Sequence, residues 1–120
     1  MILALRSYFV SLRASARFGR ATRLRELGDK EGALSLAREA LALLAGKSVI
    51  RTNPPEASTL ICATVLVEQL AQELARPGAS EYDISDSLTY IRELGAGSAL
   101  AGWASYLEGC LRENRAAETV

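Results

Sequence analysis

The chain contains no histidine. That removes the side chain most often used as a general base near neutral pH, and the commonest protein ligand for a transition metal. Only two cysteines occur, Cys62 and Cys110, each inside an apolar stretch. Two thiols without a histidine do not make a usual zinc site, and they are too few for the disulfide framework of a small secreted scaffold. Both are expected in the core as small hydrophobes, and a reducing, cytoplasmic setting suits them. Aromatic residues are 6% of the chain, and β-branched residues mostly stand alone, which leaves little material for strands. The richest apolar run, Leu60 to Val67, ends at Glu68. It falls far short of the roughly 20 residues needed to cross a bilayer. Met1 to Leu5 is apolar, but no basic flank precedes it and Arg6 interrupts it, so it does not read as a secretory signal and a soluble protein is expected.

What is present is helical material. In 120 residues, 49% hydrophobic and dominated by Ala and Leu, there is enough for one core. The spacing predicts a first helix over about Leu3 to Leu27, with Ile2, Leu5, Phe9, Leu12, Ala16 and Gly19 on its core-facing side and Arg6, Arg13, Arg17 and Arg20 opposite. Gly28 stops it and Asp29 caps the next, about Lys30 to Ala45, whose apolar face is Leu34, Ala37, Leu41 and Leu44. Gly46 ends that helix, and the tight connection makes the two an antiparallel hairpin. Asn53 followed by Pro54 and Pro55 reads as a cap and helix start, opening a third helix to about Arg76. Its Leu60 to Val67 segment has strand-like composition, but apolar residues continue through Leu70, Ala71 and Leu74, too far for an ordinary strand. After the break at Pro77 and Gly78, a fourth helix covers about Asp83 to Leu94, capped by Ser80 or Asp83 and stopped by Gly95. A fifth runs from about Ser98 to Arg112 through Leu100, Trp103, Leu107 and Cys110. Residues 1–114 thus form a single all-α domain, a five-helix bundle of antiparallel hairpins, and Arg115 to Val120 a frayed tail. Its expected core includes Leu34, Leu41, Leu66, Leu70, Leu88, Trp103 and Leu107.

A short repeat accompanies the hairpins. Arg25-Glu26-Leu27-Gly28 recurs as Arg92-Glu93-Leu94-Gly95, followed by Ala33-Leu34 and Ala99-Leu100 respectively. The offsets, 67 and 66 residues, are close to twice the 34-residue tetratricopeptide period. The segment Leu24 to Leu44 resembles a tetratricopeptide repeat, with Gly28 at the turn and Ala33 and Ala40 at the small positions of the second helix; with the flanking positions from Arg17 to Ala45 the resemblance covers about a quarter of the chain. It departs from that pattern at Ala37, where the family usually has an aromatic, at Ala45, where a proline commonly follows, and at Arg17 and Arg20, where large apolar residues are usual. The resemblance implies a helical-hairpin fold that binds proteins, and no peptide-binding residue carries over.

Chemistry is scarce. Asp83 and Asp86 lie at a helix start, where anions offset the macrodipole, and are not an acid–base pair. Gly95 to Leu100 has a glycine-rich look, but no strand precedes it and Leu100 occupies the last glycine position of a dinucleotide fingerprint. Gly102 and Gly109, seven apart on the expected fifth helix, offer a close-packing face that leaves a homodimer open. Charge is the informative feature. The chain is neutral overall, yet Met1 to Arg25 carries six arginines and no acid, while Thr52 onward has four arginines against ten acids. The stripe Arg6, Arg13, Arg17 and Arg20 is the candidate partner-binding surface: it suits an acidic protein or peptide, and less well a membrane surface or nucleic acid. The alternative is neutralisation by acids of the later helices, or a merely solvated face. The reading is a non-catalytic protein–protein interaction module, an adaptor or scaffold, with no cofactor, metal or small-molecule substrate implied. A membrane-surface or nucleic-acid-binding regulator using the basic helix is the second reading.

Overall fold

In the computed structural model the backbone is described for residues 2–44, 54–95, 97 and 99–118, and side chains for 9–44, 58–95, 97 and 99–113. Among the described residues there are five α-helices, one 3-10 segment and no strand: α1 (Ile2–Glu26), α2 (Lys30–Leu44), α3 (Pro54–Leu74), α4 (Glu81–Leu94), the 3-10 turn Ala99–Trp103, and α5 (Ala104–Glu118). The expected caps at Gly46 and Asn53 lie outside the described residues.

The first hairpin closes as its sequence requires. Gly28 takes φ +91°, a region that costs a glycine little. Its N–H donates to the Arg25 carbonyl at 3.0 Å, and the Asp29 N–H donates to Leu24 at 2.9 Å. These bonds satisfy the last carbonyls of α1. Asp29 then caps α2, its Oδ1 accepting from the Gly32 N–H at 2.9 Å. At α4, Ser80 is the cap, accepting from the Asp83 N–H at 3.1 Å, and Gly95 ends the helix at φ +89°. The repeated Arg-Glu-Leu-Gly blocks therefore share one local role, a helix end closed by glycine. The downstream Ala-Leu pairs differ in structure, since Ala33-Leu34 lies in an α-helix and Ala99-Leu100 in a 3-10 turn.

The segment of strand-like composition is helical throughout, and the Thr64 hydroxyl donates to the Leu60 carbonyl one turn back at 2.8 Å. Ser87 of α4 donates to the same Thr64 oxygen at 3.0 Å, so two fully buried hydroxyls satisfy one another between α3 and α4. The fifth helix departs from expectation at both ends. Residues 99–103 form a 3-10 turn before the α-helix, and α5 continues to Glu118, six residues past the expected end at Arg112 and into the segment expected to fray. Arg115, Ala116, Ala117 and Glu118 are good helix formers with no breaker among them. Gly102 consequently lies in the turn and Gly109 in α5, so they do not share a helix face.

Packing follows chain order: α1 lies on α2, α2 on α3, α3 on α4, and α4 on α5, with a lighter α1–α3 contact. α1 and α3 run parallel, because Ser15–Thr59 and Arg25–Gln69 are both pairs 44 residues apart in sequence, bonded at 3.4 and 2.9 Å. The buried core contains Leu34, Leu41, Leu66, Leu70, Leu88 and Leu107 as expected, with Ile61 and Ile84 fully enclosed. Two residues sit further out than expected. Trp103 is only partly buried, edge-on to Tyr106 with ring centroids 5.8 Å apart, and Cys62 is half-buried. Both cysteines are free thiols. No helix among the described residues is long and apolar enough to cross a membrane.

Candidate interaction surface

α1 does not bury the face that its large apolar residues suggest. Ala14 and Ala21 are fully enclosed, with Phe18 and Leu24 partly buried beside them, whereas Phe9 is 58% and Leu12 49% exposed and Ala16 and Gly19 face outward. The expected core face is thus the outer face, as far as side chains are described; those of Ile2 and Leu5 lie outside that range. α2, which packs against both α1 and α3, has Ala33, Ala37 and Ala40 all at 0% exposure. Small residues on paired helices let the backbones approach closely, and in α1 the fully enclosed ones are Ala14 and Ala21.

Two sets of residues on α1 share one spacing. The inward set is Ala14, Phe18, Ala21 and Arg25, at i, i+4, i+7 and i+11; the outward set is Leu12, Ala16, Gly19 and Arg23, at the same intervals. A shift of two residues turns about 200° around a helix, so the sets lie on opposite sides. The inward set reads small, large, small, arginine; the outward set reads large, small, small, arginine. A Cβ built on Gly19 meets nothing within 4 Å, so the outer surface there is open.

The four candidate arginines have different fates. Arg17 is half-buried at the α1–α2 seam: its Nε lies 3.7 Å from Glu39 Oε2, and its Nη1 donates to the Arg13 carbonyl at 3.3 Å. Its charge is partly answered from within. Arg13 and Arg20 are exposed, as is Arg23, and among the described residues no acid lies within ion-pair distance of any of the three. The Arg6 side chain lies outside the described residues. Arg25 reaches α3, donating to Gln69 Oε1 at 2.9 Å and lying 3.7 Å from Glu73, which Lys30 also approaches at 3.4 Å. The outer face of α1 thus combines Leu12, Ala16 and Gly19 with three exposed arginines that have no acid partner among the described residues. Sequence reasoning placed the first three in the core; the alanine face of α2 is the signal that could have corrected it.

Other surfaces hold less unspent chemistry. A groove of about 460 Å³ along α2, lined by Leu34, Ser35 and Ala42 among others, is rimmed by charges that already have partners. Arg76 pairs with Glu31 at 2.8 Å, Glu39 with Arg17, and Arg38 donates to the Pro77 carbonyl. On α4 a notch of about 310 Å³ is bordered by Glu81, Tyr82 and Ser85, with Tyr82 84% exposed. Tyr90 is buried and Tyr106 partly so, which leaves Tyr82 as the outward tyrosine of the three.

The most polar interior spot lies between α3 and α5. Glu68 is buried there, and Gln72 Nε2 lies 4.0 Å from the sulfur of Cys110. Burial pushes the Cys110 thiol up to about 11, helped by the negative charge of Glu68. The Tyr106 phenol is pushed up to about 12, again chiefly by burial and then by Cys110 and Glu68. Burial also raises the Cys62 thiol. Protonated thiols are poor nucleophiles at neutral pH, so neither cysteine is set up for covalent chemistry. Among the described residues no group of three or more His, Cys, Asp or Glu could hold a metal ion. Compared with protein-family models, curated proteins and solved structures, this chain matches none of them.

Proposed function

We propose that this chain is a non-catalytic protein–protein interaction module, an adaptor or scaffold, that docks a helix of an acidic partner on the outer face of α1. The observation that carries the reading is an exposed stripe of one large apolar and two small residues beside exposed arginines on the outer side of α1. On the inward side Ala14 and Ala21 are enclosed, Phe18 is partly buried, and Arg25 meets an acid of α3. Leu12, Ala16, Gly19 and Arg23 offer an incoming helix one large side chain, two small positions and a cation, with Arg13 and Arg20 alongside. Small residues admit a close backbone approach, Leu12 supplies apolar area, and the arginines select an acidic surface. The tetratricopeptide-like character of Leu24 to Leu44 is in keeping with this reading, since such hairpins bind other helices and peptides.

A photo-crosslinking amino acid at Ala16, in the chain expressed in its source cells, tests the proposal. A discrete protein adduct is expected, lost when Arg13, Arg20 and Arg23 become glutamate. Absence of any protein adduct, with retention of the purified chain on anionic vesicles or RNA, would favour the second reading, a membrane-surface or nucleic-acid-binding regulator. That reading draws on the same three exposed arginines; Leu12 at the head of the stripe and the small residues that follow it favour a helix.

A further inference from the structure

Resting on the docking role proposed for α1, we infer that the partner helix is α4 of a second copy of this chain, so that copies associate head to tail.

The outer side of α4 matches the outer side of α1 position by position. Tyr82, Asp86, Thr89 and Glu93 fall at i, i+4, i+7 and i+11, the intervals of Leu12, Ala16, Gly19 and Arg23. Tyr82, Thr89 and Glu93 are exposed and Asp86 is partly so. Set parallel, the two stripes place Tyr82 against Leu12, Thr89 against the open surface at Gly19, and Glu93 against Arg23. Asp86 then lies near Arg20. The antiparallel arrangement puts Glu93 on Leu12 and strands Arg23 beside Tyr82, so charge selects one direction. The notch bordered by Tyr82 and Ser85 receives the Leu12 side chain.

Charge also excludes the simplest symmetric alternative. α1 carries six arginines and one glutamate, so two α1 helices face to face would repel. α4 carries four acids and one arginine. A contact between two different surfaces of the same chain is heterologous, and it grows into chains unless the geometry closes a ring. Helix on helix over about three turns is a small interface, below the roughly 1,200 Å² of stable complexes, so the association is weak and salt-dependent.

Sedimentation of the purified full chain, from micromolar to millimolar protein and at low and high salt, tests the inference. Reversible association is expected at low salt, weakened by high salt. Arg20→Glu with Arg23→Glu, and separately Asp86→Lys with Glu93→Lys, each lower the association constant by about tenfold or more. An equimolar mixture of the two variants restores it, because the new glutamates of α1 meet the new lysines of α4. All four positions are on the surface, and circular dichroism checks each variant; Leu12→Ser and Tyr82→Ser give a second, uncharged pair that also weakens association.

A chain that stays monomeric throughout, an association untouched by the α4 variants, or a mixture that fails to recover overturns the inference. The docking reading fails separately. A monomeric chain that still crosslinks from Ala16 to a different protein removes only the second copy, whereas a monomeric chain with no adduct removes both.

Discussion

Buried Glu68 of α3 accepts a hydrogen bond from the backbone N–H of Ala79 at 2.6 Å, pinning the connection that leads into α4. Gly78 lies so close that a Cβ there would strike the same carboxylate. Glu68→Ala leaves a buried N–H without its acceptor and is expected to cost about 1 to 3 kcal/mol. Gly78→Ala should cost a similar amount, about 1 to 3 kcal/mol, by displacing the carboxylate from Ala79. The two penalties share one cause, so in the Glu68→Ala background Gly78→Ala should cost less than about 0.5 kcal/mol. Urea denaturation of the four proteins measures the coupling, and simple additivity would contradict this account.

The arginines of α1 should separate folding from binding. Arg13→Glu and Arg20→Glu act on exposed side chains with no acid partner among the described residues and should shift stability by no more than about 0.5 kcal/mol. Arg17→Glu places a second carboxylate beside Glu39, and a loss of up to about 1 kcal/mol is expected. Equal effects at all three positions would mean that the Arg17–Glu39 pair does not matter in solution.

Trp103 is partly buried on the 3-10 turn and rests edge-on against Tyr106. Trp103→Ala should therefore cost about 2 to 3 kcal/mol, below the usual range for a fully enclosed tryptophan. A loss well above that range would place the indole deeper than its partial exposure indicates. Thermal and chemical denaturation followed by far-ultraviolet circular dichroism reads the value without relying on the indole itself.

Alkaline pH should destabilise the fold through Cys110 and Tyr106. Their folded values, about 11 and about 12, lie above the ordinary 9.0 and 10.0. From pH 9 upward the unfolded chain therefore holds fewer protons than the native one, and stability falls as pH rises. Tyr106→Phe should flatten the upper part of that fall, above pH 10, in urea titrations at successive pH values. At neutral pH the same change should be stabilising by up to about 1 kcal/mol, because the Tyr106 hydroxyl is buried and the Cys110 sulfur beside it is only a weak hydrogen-bond partner. Destabilisation by Tyr106→Phe at neutral pH would show that the hydroxyl does have a stronger partner.

Helix limits and the cores of α2, α3 and α4 were legible in the sequence, because their signals are local. Gly28, Asp29, Ser80 and Gly95 set boundaries through bonds to residues within a turn or two. Leu34, Leu41, Leu70 and Leu88 recur at intervals that a helix must bring to one side. The burial of Glu68 was not legible, since its acceptor role depends on a loop eleven residues away folding back over α3. Nor was the orientation of α1. Periodicity shows that a helix has an apolar side; which side is buried depends on what the neighbouring helix presents. Ala14 and Ala21 are fully enclosed, as are Ala33, Ala37 and Ala40 of α2, and Leu12 is left at the surface among exposed arginines. Spacing along one helix therefore determined its secondary structure, whereas complementarity between two helices, a property of tertiary packing alone, decided which face is core and which remains for a partner.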